Sequence, residues 1–388
     1  MNASATTGIA TFNIDCNACT PAQHYTQATT FPVANAPEGI YTISYTLSSG
    51  YALVAGSDQP NPQTLTSIAH SGSGTIGWAL QATQSVGGKI VKIGTYNSGQ
   101  WYLDVNGSGA WDGDPPDVAG TFGAGLPGAI YVTGDWNGSG TQKMGVYYQG
   151  FWYLDFKGDG TWDGGVVDKQ YNFGWSDPNV IPVVGDWNGD GRTKIGVYYQ
   201  GFWYLDYDGN GVWDGGINDK AYNIGWPAPG VTPIVGDWSG SGTSKIGIYY
   251  YGFWYLDYDG DGVWNPANDK SYNFGWQATG VTPIMGDWNG DGRIKIGIYY
   301  YGFWYLDYDG NGVWDGGVND KQYNLGWPDP AVTPVMGDWT GTGTTKIGVF
   351  YEGYWYLDFI GNGIWDGGIV DKAYVWGQAG DTPLVGAW

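Results

Sequence analysis

The sequence predicts an all-β chain: a six-bladed β-propeller of four-stranded repeats, about 51 residues each, closed by its C-terminal strand and preceded by a small N-terminal β domain. Three observations carry this. The tetrapeptide WYLD starts at Trp101, Trp152, Trp203, Trp254, Trp304 and Trp355, at spacings of 51, 51, 51, 50 and 51 residues. A fixed period of about 50 residues marks a propeller, a solenoid or an array. Seventy glycines and an 18% aromatic share describe short strands and tight turns, and the acids are almost all Asp, with Glu only at Glu38 and Glu352. The third observation separates a ring from a solenoid. The first unit begins at Lys92 with a second strand, KIGTY, and residues 382–388, TPLVGAW, are a first strand with nothing after it. Joined, they make one blade, and the closed ring leaves no unpaired edge.

Residues 1–88 carry neither the period nor the Asp loops. Runs at 9–14, 40–47, 51–54, 65–69 and 75–82, separated by Gly, Pro, Ser and Asn, predict short antiparallel strands. A separate β domain over 1–88 is the reading adopted, with a degenerate extra blade as the other. Residues 1–37, rich in Thr, Ala and Asn, read as an extended arm able to pair with a sheet edge of a neighbouring copy, or as a packed terminus. The two cysteines, Cys16 and Cys19, form a candidate short-loop disulfide of an oxidising compartment. With His24 and His70 they would also be enough ligands for one zinc, although their spacing matches no common zinc pattern.

From 89 to 388 the chain reads as the propeller. One unit, residues 232–276, holds four strand candidates, TPIVGDW, KIGIYY, FWYLDY and KSYNFGW. FWYLDY is bulky on both faces and must be covered on both, as happens when blades pack face to face. Five blades start at the strands before Asp135, Asp186, Asp237, Asp287 and Asp338, and the sixth is the composite. In each, the first-to-second and third-to-fourth loops share one face of the disc.

The third-to-fourth loops present oxygens at positions 1, 3, 5 and 9, a Gly at 6 for the bend and a carbonyl at 7. That pattern suits a hard cation. Complete sets are Asp206, Asp208, Asn210, Val212 and Asp214; Asp257, Asp259, Asp261, Val263 and Asn265; and Asp307, Asp309, Asn311, Val313 and Asp315. Asp104, Asn106, Ser108 and Asp112 make a weaker set, while Lys157 and Ile360 occupy the third position of the remaining two loops and predict poor binding there. Asp219, Asp269 and Asp320 lie slightly further on as added ligands. The first-to-second loops keep three oxygen side chains at Asp186, Asn188 and Asp190 and at Asp287, Asn289 and Asp291, whereas the copies at Asp135, Asp237 and Asp338 replace the later ligands with Ser or Thr. All five have a lysine at position 9: Lys143, Lys194, Lys245, Lys295 and Lys346. An ammonium there is a built-in cation, so weak or absent metal is the expectation for these loops. The alternative for every loop is an Asx turn without an ion. Several Ca2+ per chain are expected rather than magnesium, because six or seven flexible oxygens suit the larger ion. Sites of this kind bind at roughly 0.1–1 mM, so millimolar calcium would add about 0.5–1.5 kcal/mol each.

GDWNGDG followed by KIGVYY, at 185–199, resembles the FG-GAP (integrin alpha-chain-like, VCBS-like) propeller repeat, over about 300 residues of the chain. That family also occurs in secreted bacterial proteins and some fungal lectins. The resemblance implies a propeller with calcium in hairpin loops and a binding or adhesive role; an extracellular or cell-surface place is expected. The lysine stands where that family usually has its last Asp, and the family usually has seven blades where six are counted here.

A net charge of −22 argues against nucleic acid or an anionic membrane as partner. No run of about 18 apolar residues exists to span a bilayer. The opening MNASATTG lacks a basic n-region and an apolar h-region, so any secretion signal is read as already absent. Both histidines lie outside the repeat and only Arg192 and Arg293 are present, which disfavours a His-based triad or an arginine-cluster glycosidase. The acids recur in every blade, as ligands do, so a non-catalytic protein is expected and a polysaccharide-active enzyme is the least favoured reading. The leading function is recognition of a glycan or protein ligand on a surface, with exposed Trp and Tyr stacking on sugar rings. The rival is a structural subunit of an extracellular filament or sheath, self-associating through the N-terminal arm.

Overall fold

The computed structural model describes residues 89–388 with their side chains, and the backbone of strands Ala10–Cys16, Gln23–Gln27, Tyr41–Leu47, Gln63–Leu65 and Leu80–Gln81. The chain divides into two units, Met1–Ile76 and Gly77–Trp388. In the first, four strands form an antiparallel sheet in the order Gln23–Gln27, Ala10–Cys16, Tyr41–Leu47, Gln63–Leu65. The segment QHYTQ carries too little apolar alternation to read as a strand, yet it pairs in register with Ala10–Cys16, Ile14 opposite Tyr25. The expected strand at 51–54, the extended arm as such and the Cys16–Cys19 disulfide fall outside the described residues.

In the second unit six antiparallel four-stranded blades form a ring. One blade runs Ile181–Gly185, Lys194–Tyr199, Phe202–Leu205 and Lys220–Asn223, paired in sequence order. Its second and third strands meet in a two-residue hairpin, Gln200 at φ 50° and Gly201 at φ 101°. Both lie in the left-handed region, as a turn matching the strand twist requires. Gly196 of the second strand is there for room: a Cβ would sit 2.9 Å from both Leu205 Cδ2 and the Tyr204 carbonyl.

The composite blade forms as its two halves predict. Thr382–Gly386 pairs with Lys92–Asn97, Leu384 opposite Gly94 and Gly386 opposite Lys92, followed by Gln100–Leu103 and Val118–Gly120. One repeated backbone bond then ties each blade to the next. Thr193 N donates to Asp135 O (2.9 Å), Ser244 N to Asp186 O (2.8 Å), Ile294 N to Asp237 O (2.9 Å) and Thr345 N to Asp287 O (2.8 Å). Val91 N to Asp338 O and Gln142 N to Ala387 O, both 2.9 Å, complete the circuit through the composite blade. Six blades use every seam, so no place remains for a seventh. Leu80–Gln81 instead adds as a short parallel strand on Ile234 and Val235 of a first strand.

Each blade is built around two buried indoles. Trp101, Trp152, Trp203, Trp254, Trp304 and Trp355 of the third strands are 0% exposed. Each donates its Nε1 proton to a carbonyl just past the fourth strand, Trp203 to Ile224 O at 2.8 Å. The Trp of GDW donates back into the second strand, Trp187 to Ile195 O at 3.1 Å. A large apolar ring is thereby buried with its one polar atom satisfied. Trp203→Phe keeps most of the apolar area but strands the Ile224 carbonyl and leaves a gap. It is expected to cost about 2–4 kcal/mol, read as a lower midpoint in urea with an unchanged slope.

Candidate cation loops and an aromatic rim

The acidic loops lie together on one face, as the strand order requires. Within one blade, Asn137 Nδ2 of the first-to-second loop donates to Phe156 O of the third-to-fourth loop (2.9 Å), and the Lys194 methylenes lie against Gly209.

In the loop at 206–214, Asp206 anchors the turn. Its Oδ1 accepts from the amides of Gly209 and Asn210 (3.0 and 3.1 Å), and its Oδ2 from that of Gly211 (2.9 Å). Gly211 has φ 76° and lies so close over the Tyr171 ring of the preceding blade that a Cβ would overlap it. The glycine both bends the loop and docks it across the seam. Asp219 then reaches back, accepting from the amides of Tyr207 (3.0 Å) and Asp214 (2.7 Å).

Three carboxylate groups converge as a result. Asp206, Asp208 and Asp219 each offer an oxygen within 4.8 Å of the others, as do Asp307, Asp309 and Asp320, and Asp257, Asp259 and Asp261. These clusters could hold a metal ion, and their membership differs in part from the spacing rule. Asp214 and Asp315 turn instead to the amides of Asn210 (2.7 Å) and Asn311 (2.8 Å). Asn265 caps Ala267 through its Oδ1 (3.1 Å). Val212, Val263 and Val313 sit at position 7 with exposed side chains, leaving the proposed contact to their carbonyls. Burial, reinforced by neighbouring carboxylates and only partly offset by backbone amides, pushes Asp206, Asp257 and Asp307 up to about 7.

The other loops are closed from within. Asp112 accepts from Asn106 Nδ2 (2.8 Å) and Ser108 Oγ (2.7 Å), and Asp104 takes three backbone amides. Lys157 spans its own loop, its ammonium 2.5 Å from Asp159 and 2.7 Å from Asp163. Ile360 is exposed, and Asp366 accepts from Asn362 Nδ2 (2.6 Å). In the first-to-second loops the position-9 lysines are buried. Lys194 Nζ donates to Asp186 (3.2 Å), Asp190 (2.7 Å) and the Arg192 carbonyl (3.1 Å). Lys295 does the same with Asp287 (3.1 Å), Asp291 (2.6 Å) and Arg293 O (3.0 Å). Asn188 and Asn289 remain in the turn, accepting from the amides of Asp190 and Asp291 (both 3.2 Å). A cavity of about 350 Å³ opens beside these loops, lined by Asp135, Asp186, Gln142, Thr193, Ser244 and Lys89.

Along the blade seams runs a feature that sequence reasoning raised only in general terms. Tyr204 of one third strand stands between Trp175 of the preceding blade (5.7 Å between ring centres) and Trp213 of its own acidic loop (5.5 Å), edge to face with both. The arrangement repeats as Trp226–Tyr255–Trp264, Trp276–Tyr305–Trp314 and Trp327–Tyr356–Trp365. Trp175 is 37% exposed and Trp213 41%, against 0% for Trp203. The signal was in the sequence, as two further Trp at constant period in FGW and VWDGG. Their meeting across blades is a property of the ring.

No family model matches the chain, and no curated protein matches it. Among solved structures it is similar to a lectin of Agrocybe aegerita described as specifically recognising non-reducing terminal N-acetylglucosamine. The two share 18% identity over 71% of this chain and 74% of that one, with a TM-score of 0.45. Among the described residues no helix is long and apolar enough to cross a membrane.

Proposed function

We propose that this protein is a non-catalytic extracellular propeller, of repeats akin to FG-GAP units, that recognises glycans along its blade seams and takes calcium into its third-to-fourth loops. The observation that carries this is the half-exposed Trp–Tyr–Trp ladder at four seams. Buried indoles hold the blades together, whereas these rings present apolar faces at the rim beside carboxylates and loop amides. Flat aromatic faces flanked by hydrogen-bonding groups suit the mixed polarity of a pyranose ring. Calcium is supported by the three carboxylate clusters, whose buried members carry no internal cation. Asp206, Asp208 and Asp219, with Asn210, Asp214 and the Val212 carbonyl nearby, would hold one ion.

A glycan array followed by calorimetry tests the reading. Binding with a stoichiometry near four is expected. Trp213→Ala should remove one site, weakening it by about 30-fold, the ~2 kcal/mol of a tryptophan anchor, while the fold persists. An array without hits would remove glycan recognition and leave a protein ligand.

A further inference from the structure

The first-to-second loops are built to a cation-binding plan, yet a side chain occupies their centre. Nζ of Lys143 donates to Asn137 Oδ1 (2.8 Å), Ser139 Oγ (2.6 Å) and Thr141 O (2.9 Å), with Asp135 Oδ1 at 3.5 Å. These are positions 3, 5, 7 and 1 of the loop, the ones that supply a calcium ion in loops of this kind. Lys194 and Lys295 take positions 1, 5 and 7. Lys346 takes 1, 3 and 5, from Asp338 Oδ1 (3.4 Å), Thr340 Oγ1 (2.6 Å) and Thr342 Oγ1 (2.9 Å). Lys245 reaches Asp237 Oδ1 at 3.1 Å and both Ser241 and Thr243. These five lysine side chains are between 2% and 8% exposed. Where the Asp is missing, so is the cage: the composite blade has Ala387 in its place, and Lys92 bonds to the carbonyls of Val105 and Trp388.

We propose that Lys143, Lys194, Lys245, Lys295 and Lys346 act as tethered cations, each filling by covalent attachment the position a divalent ion would take. The five loops are thereby held closed whatever the calcium concentration. Lys157 does the same from position 3 of a third-to-fourth loop. The acidic face thus includes loops that carry their own cation beside loops that, on the function proposed above, draw one from solution.

The Asp186 and Asp287 loops allow a direct test, because they alone keep carboxylates at positions 1 and 5. Arg192 and Arg293 hold the outer oxygens of Asp190 and Asp291, so the lysines use the inner ones, which also accept the backbone amides of Arg192 and Arg293 (2.9 and 3.0 Å). The full chain carrying Lys194→Met and Lys295→Met is expected to melt at least about 5 °C lower in chelator. Added CaCl2 should restore it, with two more calcium ions bound per chain than in the parent. Lys245→Met with Lys346→Met, in loops whose later ligands are hydroxyls, should be destabilised and stay as far below the parent when both are melted in calcium, which stabilises the third-to-fourth loops of both alike. In the parent, Asp190→Ser with Asp291→Ser copies the neighbouring loops and should leave calcium stoichiometry unchanged. Loss of two ions in that last variant would overturn the proposal. So would a Lys194→Met/Lys295→Met chain that takes up no extra calcium, whether folded or not.

Discussion

Deleting residues 382–388 is expected to abolish the folded propeller. The segment supplies the first strand of the composite blade, pairing Leu384 with Gly94 and Gly386 with Lys92, and it places Trp388 at the last seam. Trp388 is buried and donates its Nε1 proton to Ile93 O at 3.0 Å, as the GDW tryptophans do in the other blades. Its removal also frees Gln142, whose side chain accepts from the Ala387 amide (3.1 Å) and whose own amide bonds to Ala387 O. Losing one buried tryptophan costs about 3–5 kcal/mol, and here a strand goes with it. Since a domain is stable by about 5–15 kcal/mol in total, the truncated chain should be unfolded or self-associated, its bared edge pairing with other copies. Trp388→Ala alone should melt lower but keep the parent's state of association. A truncated chain that keeps the parent's state of association and melting temperature would show that the ring does not depend on this joint.

The second large effect is on pH. Without divalent cation, the propeller should become more stable on acidification from pH 8 to pH 5. Asp206, Asp257 and Asp307, raised to about 7, stay protonated in the native state across a window in which the unfolded chain, titrating at about 4, has given up its protons. The native state holds the extra protons, so stability falls as pH rises from about 4 to 7 and is lowest above that. Three units correspond to about 4 kcal/mol per site, and loop relaxation takes back part of it, so a rise in melting temperature of about 5 °C or more is expected. Asp190 and Asp291 do not confuse the reading. Although burial opposes it, hydrogen bonds from Arg192 and Lys194, and from Arg293 and Lys295, hold them well below the usual carboxylate range, so they stay ionised throughout. Saturating calcium should reverse the slope, because the ion requires the deprotonated loop. Asp206→Asn, Asp257→Asn and Asp307→Asn together should remove most of both slopes, leaving the smaller one from Asp155, which burial also pushes up, to about 6. Thermal melts in chelator and in calcium with the same slope would contradict metal in these loops.

How much of this could be read from the chain depends on the distance over which each cause acts. The WYLD period and the two half-blades needed only counting, and they placed the ring and its joint. Position 9 of the first-to-second loops announced the ammonium, because Asp186 and Lys194 are close in sequence as well as in space. The carboxylate clusters were harder. Spacing assigned Asp214 and Asp315 to the ion, but an asparagine at position 5 has an amide to donate and draws them aside, bringing in Asp219 and Asp320. Where position 5 is Asp261, with no such donor, it joins its own cluster. The rim ladder was beyond local reading altogether: Trp175 and Tyr204 belong to different blades, and only the closed ring brings them together.

The pairing of Lys92 with Gly386 has a mechanical consequence. Lys92–Asn97 starts and Thr382–Gly386 finishes at the same end of one sheet. Tension applied through residues 91 and 387, once their seam bonds to Asp338 and Gln142 give way, thus loads the ladder between these strands one rung at a time, peeling it rather than shearing it. The joint that completes the wheel is therefore also where a pulling force would first open it.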